Sequence, residues 1–403
     1  MERVPKAKEV NVLRRSLLLL ALVALVVAAG VAVAAEEYVP GTPMKVGFIY
    51  VGPVGDFGWT YAHDVARKAV EALPWAETVY VESVAEGEEG PVIDDLVVQL
   101  GCDIVITTSF GFMDGTLAAA LRHPDVIMAH ASGFKRAPNM MTYMADFYQV
   151  YYLNGIVAGA LTETNKIGYV GAFPIPEVKR HLNAWAMGAK AANPDVEVHV
   201  RWIEAWFSPG AAAEATEALI ADGCDVFAFT EDSPTVVQVA AQNELVSFGH
   251  YGSQMYTFAP DYVVSGQAID WGKIYIDFLT KVYEGDYTAH NIENVDYWWL
   301  MTQGAVFPEA SPGVAINPLY IDALKAYMID DPVFGEISAY DLHNLRLAQF
   351  SDPGVTFDPF QGPIYDRQGN LQVEEGYWLS VDSLITIEWA FENVVGPWPG
   401  EPE

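Results

Sequence analysis

The sequence predicts an α/β protein with two doubly wound parallel sheets, one in each half of the chain. Its 403 residues are enough for two domains with separate cores. Short apolar runs alternate with helical patterns, which is typical of a parallel sheet covered by helices. The second half also repeats the first at an offset of roughly 120 residues. Two similar lobes are therefore expected.

The predicted strands occur in matching pairs and are rich in β-branched and aromatic residues. Such runs suit strands that are buried on both faces. Segment 45–53 resembles 166–174, 100–108 resembles 222–230, and 124–130 corresponds to 245–250.

Helical patterns lie between these strands. They cover 59–73, 90–100 and 114–122 in the first half, and 176–193, 209–222 and 233–243 in the second. We expect an N-terminal lobe at 44–150 and a C-terminal lobe at 151–290. The periodicity of 291–403 is weak, and this part is expected to cross back, completing both lobes and the hinge. Asp146 and Tyr148 lie where the chain first crosses between the lobes, and hinge packing is their expected role.

The N-terminus has the pattern of an export signal. Five basic residues precede an apolar run that ends near residue 35, and Ala32, Val33 and Ala34 fit a signal-peptidase site. The run is long, so residues 1–35 are either a signal peptide or an uncleaved membrane anchor. No cysteine lies near its end, so the sequence does not predict a lipoprotein. An extracytoplasmic location, in the periplasm or on the outer face of the cytoplasmic membrane, is expected in both cases.

The formal net charge of −32 at pH 7 limits the possible partners. A chain this acidic is a poor candidate for binding nucleic acid or anionic lipid. The two cysteines, Cys102 and Cys224, begin equivalent strands in different halves, beyond the expected reach of a disulfide. We therefore predict buried free thiols.

Ligands of open α/β sheets bind beyond the carboxyl ends of the strands. Aromatic and acidic residues recur in the segments that follow the predicted strands, and lysine and arginine are absent from them. This composition suits a planar, uncharged or weakly basic ligand that stacks between rings and is hydrogen-bonded at its edges. The segments are 55–59, 109–114, 131–133, 145–148, 173–177, 205–210, 231–233, 251–253 and 270–272.

Nearly the whole chain after residue 43 resembles the basic membrane protein family of substrate-binding proteins, which serve ABC importers. The motifs that carry the resemblance are "GPVGDFGWTYAHD", "TTSFGFMD", "HASG", "PIPEV", "AWFSPG", "EDS", "FAPD", "DWGKIY" and "PFQGPIYDRQG", in this order. The resemblance implies a type I periplasmic-binding-protein fold with two lobes and a hinge. It also implies a purine base or nucleoside in the interlobe cleft, an ABC permease as partner, and no cofactor.

Two positions depart from the nucleoside-binding members of that family. Those members hold the ribose with an aspartate after the fourth strand of the second lobe and with a lysine after the next strand. This chain has His250 to Ser253 and Asp270 to Gly272 in those places. Trp59 occupies the ring-stacking position. The pattern resembles the branch that takes up free bases such as adenine.

Eight residues are candidates for ligand binding. Trp59, Phe173, Trp206 and Trp271 lie on strand-end loops and can stack on a flat ligand, or they can pack structurally. Asp56 and Asp232 can accept hydrogen bonds from a ligand or can cap helices. Of the neighbours Phe110 and Phe112, one is expected to face the cleft and the other the core.

Enzyme motifs are missing from the sequence. It contains no G-x-S-x-G elbow, no H-E-x-x-H pair and no Walker loop, and its eight histidines have no metal-ligand spacing. The prediction is a monomeric binding protein for a purine base, without metal or catalytic residues. A binder of nucleosides or of another small polar solute is the first alternative. An exported enzyme that acts on nucleosides or sugars is the second.

Overall fold

The computed structural model describes residues 36–354 and 357–400. The predicted leader, residues 1–35, lies outside the described residues. In the described ranges the protein has two central sheets. The first contains β1 (Met44–Ile49), β2 (Ala76–Val81), β3 (Ile104–Thr107), β4 (Ile127–Ala131), β5 (Met140–Ala145) and β11 (Asp296–Trp299). The second contains β6 (Lys166–Gly171), β7 (Glu197–Trp202), β8 (Val226–Thr230), β9 (Val246–Tyr251), β10 (Val263–Ile269), β12 (Val306–Pro308) and β17 (Val394–Val395).

Helices connect the strands and cover both sheets. The longer ones are α1 (Trp59–Glu71), α2 (Glu89–Val98), α3 (Met113–Arg122), α4 (Tyr148–Leu161), α5 (Pro176–Ala192), α6 (Pro209–Ala221), α7 (Thr235–Gln242) and α8 (Trp271–Glu284). Later in the chain come α9 (Ile321–Ala326), α10 (Ala339–Ser351) and α11 (Val381–Leu384). Two small antiparallel hairpins pair β13 (Met328–Asp331) with β14 (Gly335–Ser338), and β15 (Ile364–Tyr365) with β16 (Leu371–Val373).

The two sheets share a doubly wound strand order, and the second has one additional edge strand, β17. The first runs β11-β5-β4-β3-β1-β2 and the second runs β12-β10-β9-β8-β6-β7-β17. All strands of the first sheet are parallel, and in the second only β12 is antiparallel to its neighbour. In each sheet the winding reverses beside its first strand, between β1 and β3 and between β6 and β8. The carboxyl ends of these strands are the expected ligand sites.

Helices α4 and α5 pack closely beside the crossing between the lobes. A Cβ atom added to Gly188 would lie 2.0 Å from the backbone oxygen of Tyr152, so only glycine permits this approach. Residues of both sheets share one continuous apolar core through these helices. The two lobes are therefore joined by buried packing as well as by connecting strands.

The part of the chain after residue 290 contributes to both lobes. It adds β11 to the first sheet, and it adds β12 and β17 to opposite edges of the second. The backbone N–H of Val198 donates to the carbonyl of Asn393, which aligns β17 beside β7. The weak sequence pattern of this region reflects its short strands and long loops.

Cys102 and Cys224 are free and buried, as predicted. Burial raises the pKa of each thiol to about 12. Within residues 36–354 and 357–400, none of the helices combines the length and apolar character needed to span a bilayer.

Candidate functional site

A small cavity lies between the two lobes, and the empty space in and around it, including part that is open to solvent, is about 280 Å³. Its lining residues follow strands of both sheets, mainly at the two points where the winding reverses. The first lobe contributes Val51, Trp59, Ser109, Phe110 and Ser132, and the second contributes Glu177, Trp206, Asp232 and Tyr251. Rings and carboxyl groups dominate this wall, and it contains no lysine or arginine.

Trp59 is held firmly in the wall of the cavity. Its indole Nε1–H donates to the backbone oxygen of Thr108, at the end of the neighbouring strand. Trp271 and His63 pack edge-on against it, with ring centroids 5.2 and 4.7 Å away. The ring is therefore fixed before a ligand arrives, which lowers the entropic cost of stacking.

Asp56 caps helix α1. Its carboxylate accepts hydrogen bonds from the backbone N–H groups of Gly58, Thr60 and Tyr61, at 2.8 to 3.0 Å. Burial raises its pKa to about 6, against the opposite effect of these hydrogen bonds. Asp56 is absent from the cavity wall, so the capping role considered for it is the one that the structure displays.

Asp232 contributes an unpaired carboxylate oxygen. The residue is 1% exposed, and its Oδ1 is buried without a hydrogen-bond partner among the described residues. Burial, Asp56 and Glu231 raise its pKa well above the ordinary value, while the Tyr251 hydroxyl and the Trp59 backbone N–H act in the opposite direction. A buried acceptor without a partner is costly, and a ligand N–H would satisfy it.

The lobes are closed over the cavity. A Cβ on Gly58 would lie 2.6 Å from the Cα of Asp232, so the two backbones touch across the cleft. Beside this contact, the Gln254 side-chain amide donates to the carbonyl of Phe57 at 2.9 Å, and the rings of Phe57 and Phe258 meet edge to face at 5.2 Å. These contacts join loops of different lobes and can form only in the closed state.

The other predicted site residues lie in three places: the cavity wall, the core and a neighbouring groove. Phe110 and Trp206 line the cavity, and the buried indole Nε1 of Trp206 has no partner in the described part of the chain. Phe112 is fully buried in the core beside the first sheet. Phe173 packs against Trp206 and lines the neighbouring open groove.

Trp271 lies behind Trp59. It stacks on His63 at 4.4 Å and is 1% exposed, so it supports the wall from outside. Phe112 and Trp271 therefore occupy structural positions, because helical turns after their strands direct them into the core.

Four polar lining residues were not singled out from the sequence. Ser109, Ser132, Glu177 and Tyr251 all lie in the strand-end segments, but only their loop position indicated a role. Ser132 and Tyr251 have φ angles of 56° and 65°, a left-handed conformation that is uncommon outside glycine and often marks functional sites.

A buried ion pair stabilises the crossing between the lobes. The Arg180 guanidinium donates to Asp146, and both side chains are almost inaccessible to solvent. Burial alone would raise the pKa of Asp146, but Arg180 and His181 hold it well below its ordinary value. Tyr148 donates to Asp358 at 2.7 Å and so attaches the C-terminal region to the crossing.

Two α/β lobes with a small internal cavity between them are an architecture that is also found in solved solute-binding proteins. A solute-binding protein of an ABC transporter system from Aeropyrum pernix K1 aligns with a TM-score of 0.64 at 16% identity, over 79% of this chain and 94% of its own. A similar protein from Conexibacter woesei DSM 14684 aligns with a TM-score of 0.58 at 18% identity, over 78% of this chain and 99% of its own.

The sequence comparisons identify the family. Residues 44–308 match the family described as ABC transporter substrate-binding protein PnrA-like, so the chain belongs to this family. A purine-binding protein of Brucella abortus (strain 2308) is 42% identical over 265 residues, which are 65% of this chain and 74% of that protein. A putative ABC transporter glucose-binding protein of Haloferax volcanii is 40% identical over 250 residues, 62% of this chain and 63% of that protein.

Proposed function

We propose that this chain is an extracytoplasmic substrate-binding protein that captures a purine base, adenine or a close analogue, for an ABC importer. The observation that carries this proposal is the unpaired Oδ1 of Asp232, buried in a cavity with aromatic walls. A buried carboxyl oxygen without a partner favours a ligand that has N–H donors. The rings of Trp59 and Trp206 favour a flat ligand that can stack on them.

The lining of the cavity supports a neutral, flat ligand. Aromatic rings of both lobes line it, and it contains neither lysine nor arginine. The carboxyl groups of the wall would repel a phosphate or another anion. The Brucella relative is named for purine binding, which agrees with this ligand class.

Transport requires two states of the protein. The ligand binds between open lobes, closure brings Gly58 against Asp232, and the closed form docks on the permease. Residues 1–35 direct export or anchor the protein, and the monomer is the working unit. The ligand leaves chemically unchanged.

Calorimetric titration of the purified full-length protein tests this proposal. Adenine is expected to bind, and adenosine, glucose and ribose are expected to bind much more weakly. Glucose is included because the Haloferax relative is named for it. Tighter binding of adenosine or glucose than of any purine base would overturn the proposal. Chromatography of the ligand after incubation would reveal any product and thereby favour an enzyme.

A further inference from the structure

Glu177 is a second carboxyl group in the wall of the cavity. It is the second residue of helix α5, follows strand β6, and is 9% exposed. Ser132, from the opposite lobe, lines the cavity with it. Burial raises the pKa of the Glu177 carboxyl to about 7, while Arg180 and the Ser132 hydroxyl act in the opposite direction. Glu177 therefore faces the space that a ligand would occupy.

The cations nearest to Glu177 in the sequence are engaged elsewhere. The Arg180 guanidinium donates to Asp146 and to the backbone oxygen of Leu384. The buried Lys179 ammonium pairs with Glu388. Across residues 36–354 and 357–400, neither Glu177 nor Asp232 takes part in an ion pair.

Two carboxyl groups that form no ion pair among the described residues make the cavity rich in hydrogen-bond acceptors. Buried carboxyl groups gain most from hydrogen-bond donors, and a bound ligand can supply these donors. A ligand with a single N–H donor could form a hydrogen bond with Asp232 but not with Glu177 as well. A ligand that satisfies both must present N–H groups at two places on its rim.

We propose that Glu177 is a second ligand-recognition residue, and that the site selects nitrogen heterocycles with N–H donors on two edges. This inference rests on the proposed function. In adenine, the two donors are the exocyclic amino group and the ring N–H. Adenosine lacks the ring N–H because the ribose takes the place of that hydrogen, so the two carboxyl groups together select adenine over adenosine.

Three ligands allow the contribution of each N–H donor to be measured separately. Adenine has both, 9-methyladenine lacks the ring N–H, and unsubstituted purine lacks the amino group. The wild-type protein is expected to prefer adenine to each analogue by about tenfold or more, since an unpaired buried acceptor is costly. Calorimetry gives both affinity ratios.

Variants of Glu177 test its part in this selection. Glu177→Leu and Glu177→Ala remove the acceptor, and one of the two ratios is expected to fall toward one. Glu177→Gln keeps an amide oxygen and should retain part of the preference. Glu217→Gln, an exposed change in the same lobe, should leave both ratios unchanged. Thermal melting establishes that each variant is folded. If Glu177→Leu does not fold, the affinity ratios of Glu177→Ala are used instead.

The possible outcomes distinguish the two proposals. Collapse of either ratio in the folded Glu177 variants supports the role of Glu177. Wild-type binding of adenine with both ratios unchanged in the variants overturns that role and leaves the proposed function intact. Failure of the wild-type protein to bind any purine base overturns the proposed function itself.

Discussion

Gly58 of the first lobe touches Asp232 of the second so closely that a Cβ atom on Gly58 would lie 2.6 Å from the Asp232 Cα. Asp232 carries the unpaired carboxylate oxygen of the cavity. The contact between the lobes and the proposed contact with the ligand therefore involve the same residue, Asp232. A ligand that holds Asp232 in place also holds the lobes together, which links binding to the closed state.

Gly58→Ala should weaken ligand binding by about tenfold or more, because the added methyl group prevents full closure and lowers the population of the binding-competent state. Calorimetry measures the affinity. Gly55→Ala is the matched control in the same loop, since a Cβ there meets no atom within 4 Å. Equal affinities of the two variants would contradict the close contact.

Trp59→Ala should reduce the affinity for a purine base by about 1–3 kcal/mol, the value of one base–aromatic stack. Quenching of tryptophan fluorescence on titration measures this loss. Trp378→Ala changes a tryptophan that is 60% exposed and does not line the cavity, and it should leave the affinity unaltered. An unchanged affinity of the Trp59 variant would remove this ring from the site.

Asp232→Asn should weaken binding by about tenfold or more, since the amide NH2 group can face a ligand N–H where the wild-type residue offers an unpaired carboxyl oxygen. Calorimetry at pH 7 measures the effect. The exposed change Asp261→Asn serves as the control. Retention of wild-type affinity by Asp232→Asn would show that the unpaired oxygen faces no ligand.

The stability of the protein should depend on pH through Glu177. Burial raises the pKa of this carboxyl from 4.5 to about 7, so the folded protein binds a proton that the unfolded chain releases between these values. This group therefore disfavours the folded state increasingly as the pH rises from 4.5 through 7.

Glu177→Gln removes that titration. Its free energy of unfolding relative to wild type should increase by on the order of 2 kcal/mol between pH 5 and pH 8. Denaturant unfolding of the ligand-free wild-type and variant proteins at pH 5 and pH 8 gives the difference in their free energies of unfolding. The general effect of net charge on stability is common to both proteins and cancels in this difference. A constant difference would mean that the carboxyl is solvated in solution.

Cys102 and Cys224 should not react with a thiol reagent in the native protein at pH 8, because both are buried and the pKa of each is raised to about 12. Two equivalents should react after unfolding without reductant. Fewer than two would reveal a disulfide, and rapid reaction of the native protein would contradict the burial.

Local sequence patterns were enough to place most elements of the two lobes. The pattern at 176–193 corresponds to helix α5 at Pro176–Ala192, and the run at 222–230 contains strand β8 at Val226–Thr230. These elements depend on nearby residues, namely buried apolar runs and helical periodicity. Local patterns did not predict the short strands after residue 290, because these strands form only by pairing with sheet edges that are distant in the sequence.

The candidate site was likewise predicted only in part from the sequence. The sequence alone determined the repeated α/β plan, the acidic and aromatic strand ends, and the position of the cleft that they imply. Only the tertiary structure decided which side chains enter that cleft: it directs Phe110 inward and Phe112 into the core, and it lets Asp56 cap a helix while Asp232 stays unpaired. The reason is physical. A loop side chain is oriented by backbone dihedrals and by partners in the other lobe, and neither is encoded in a local pattern.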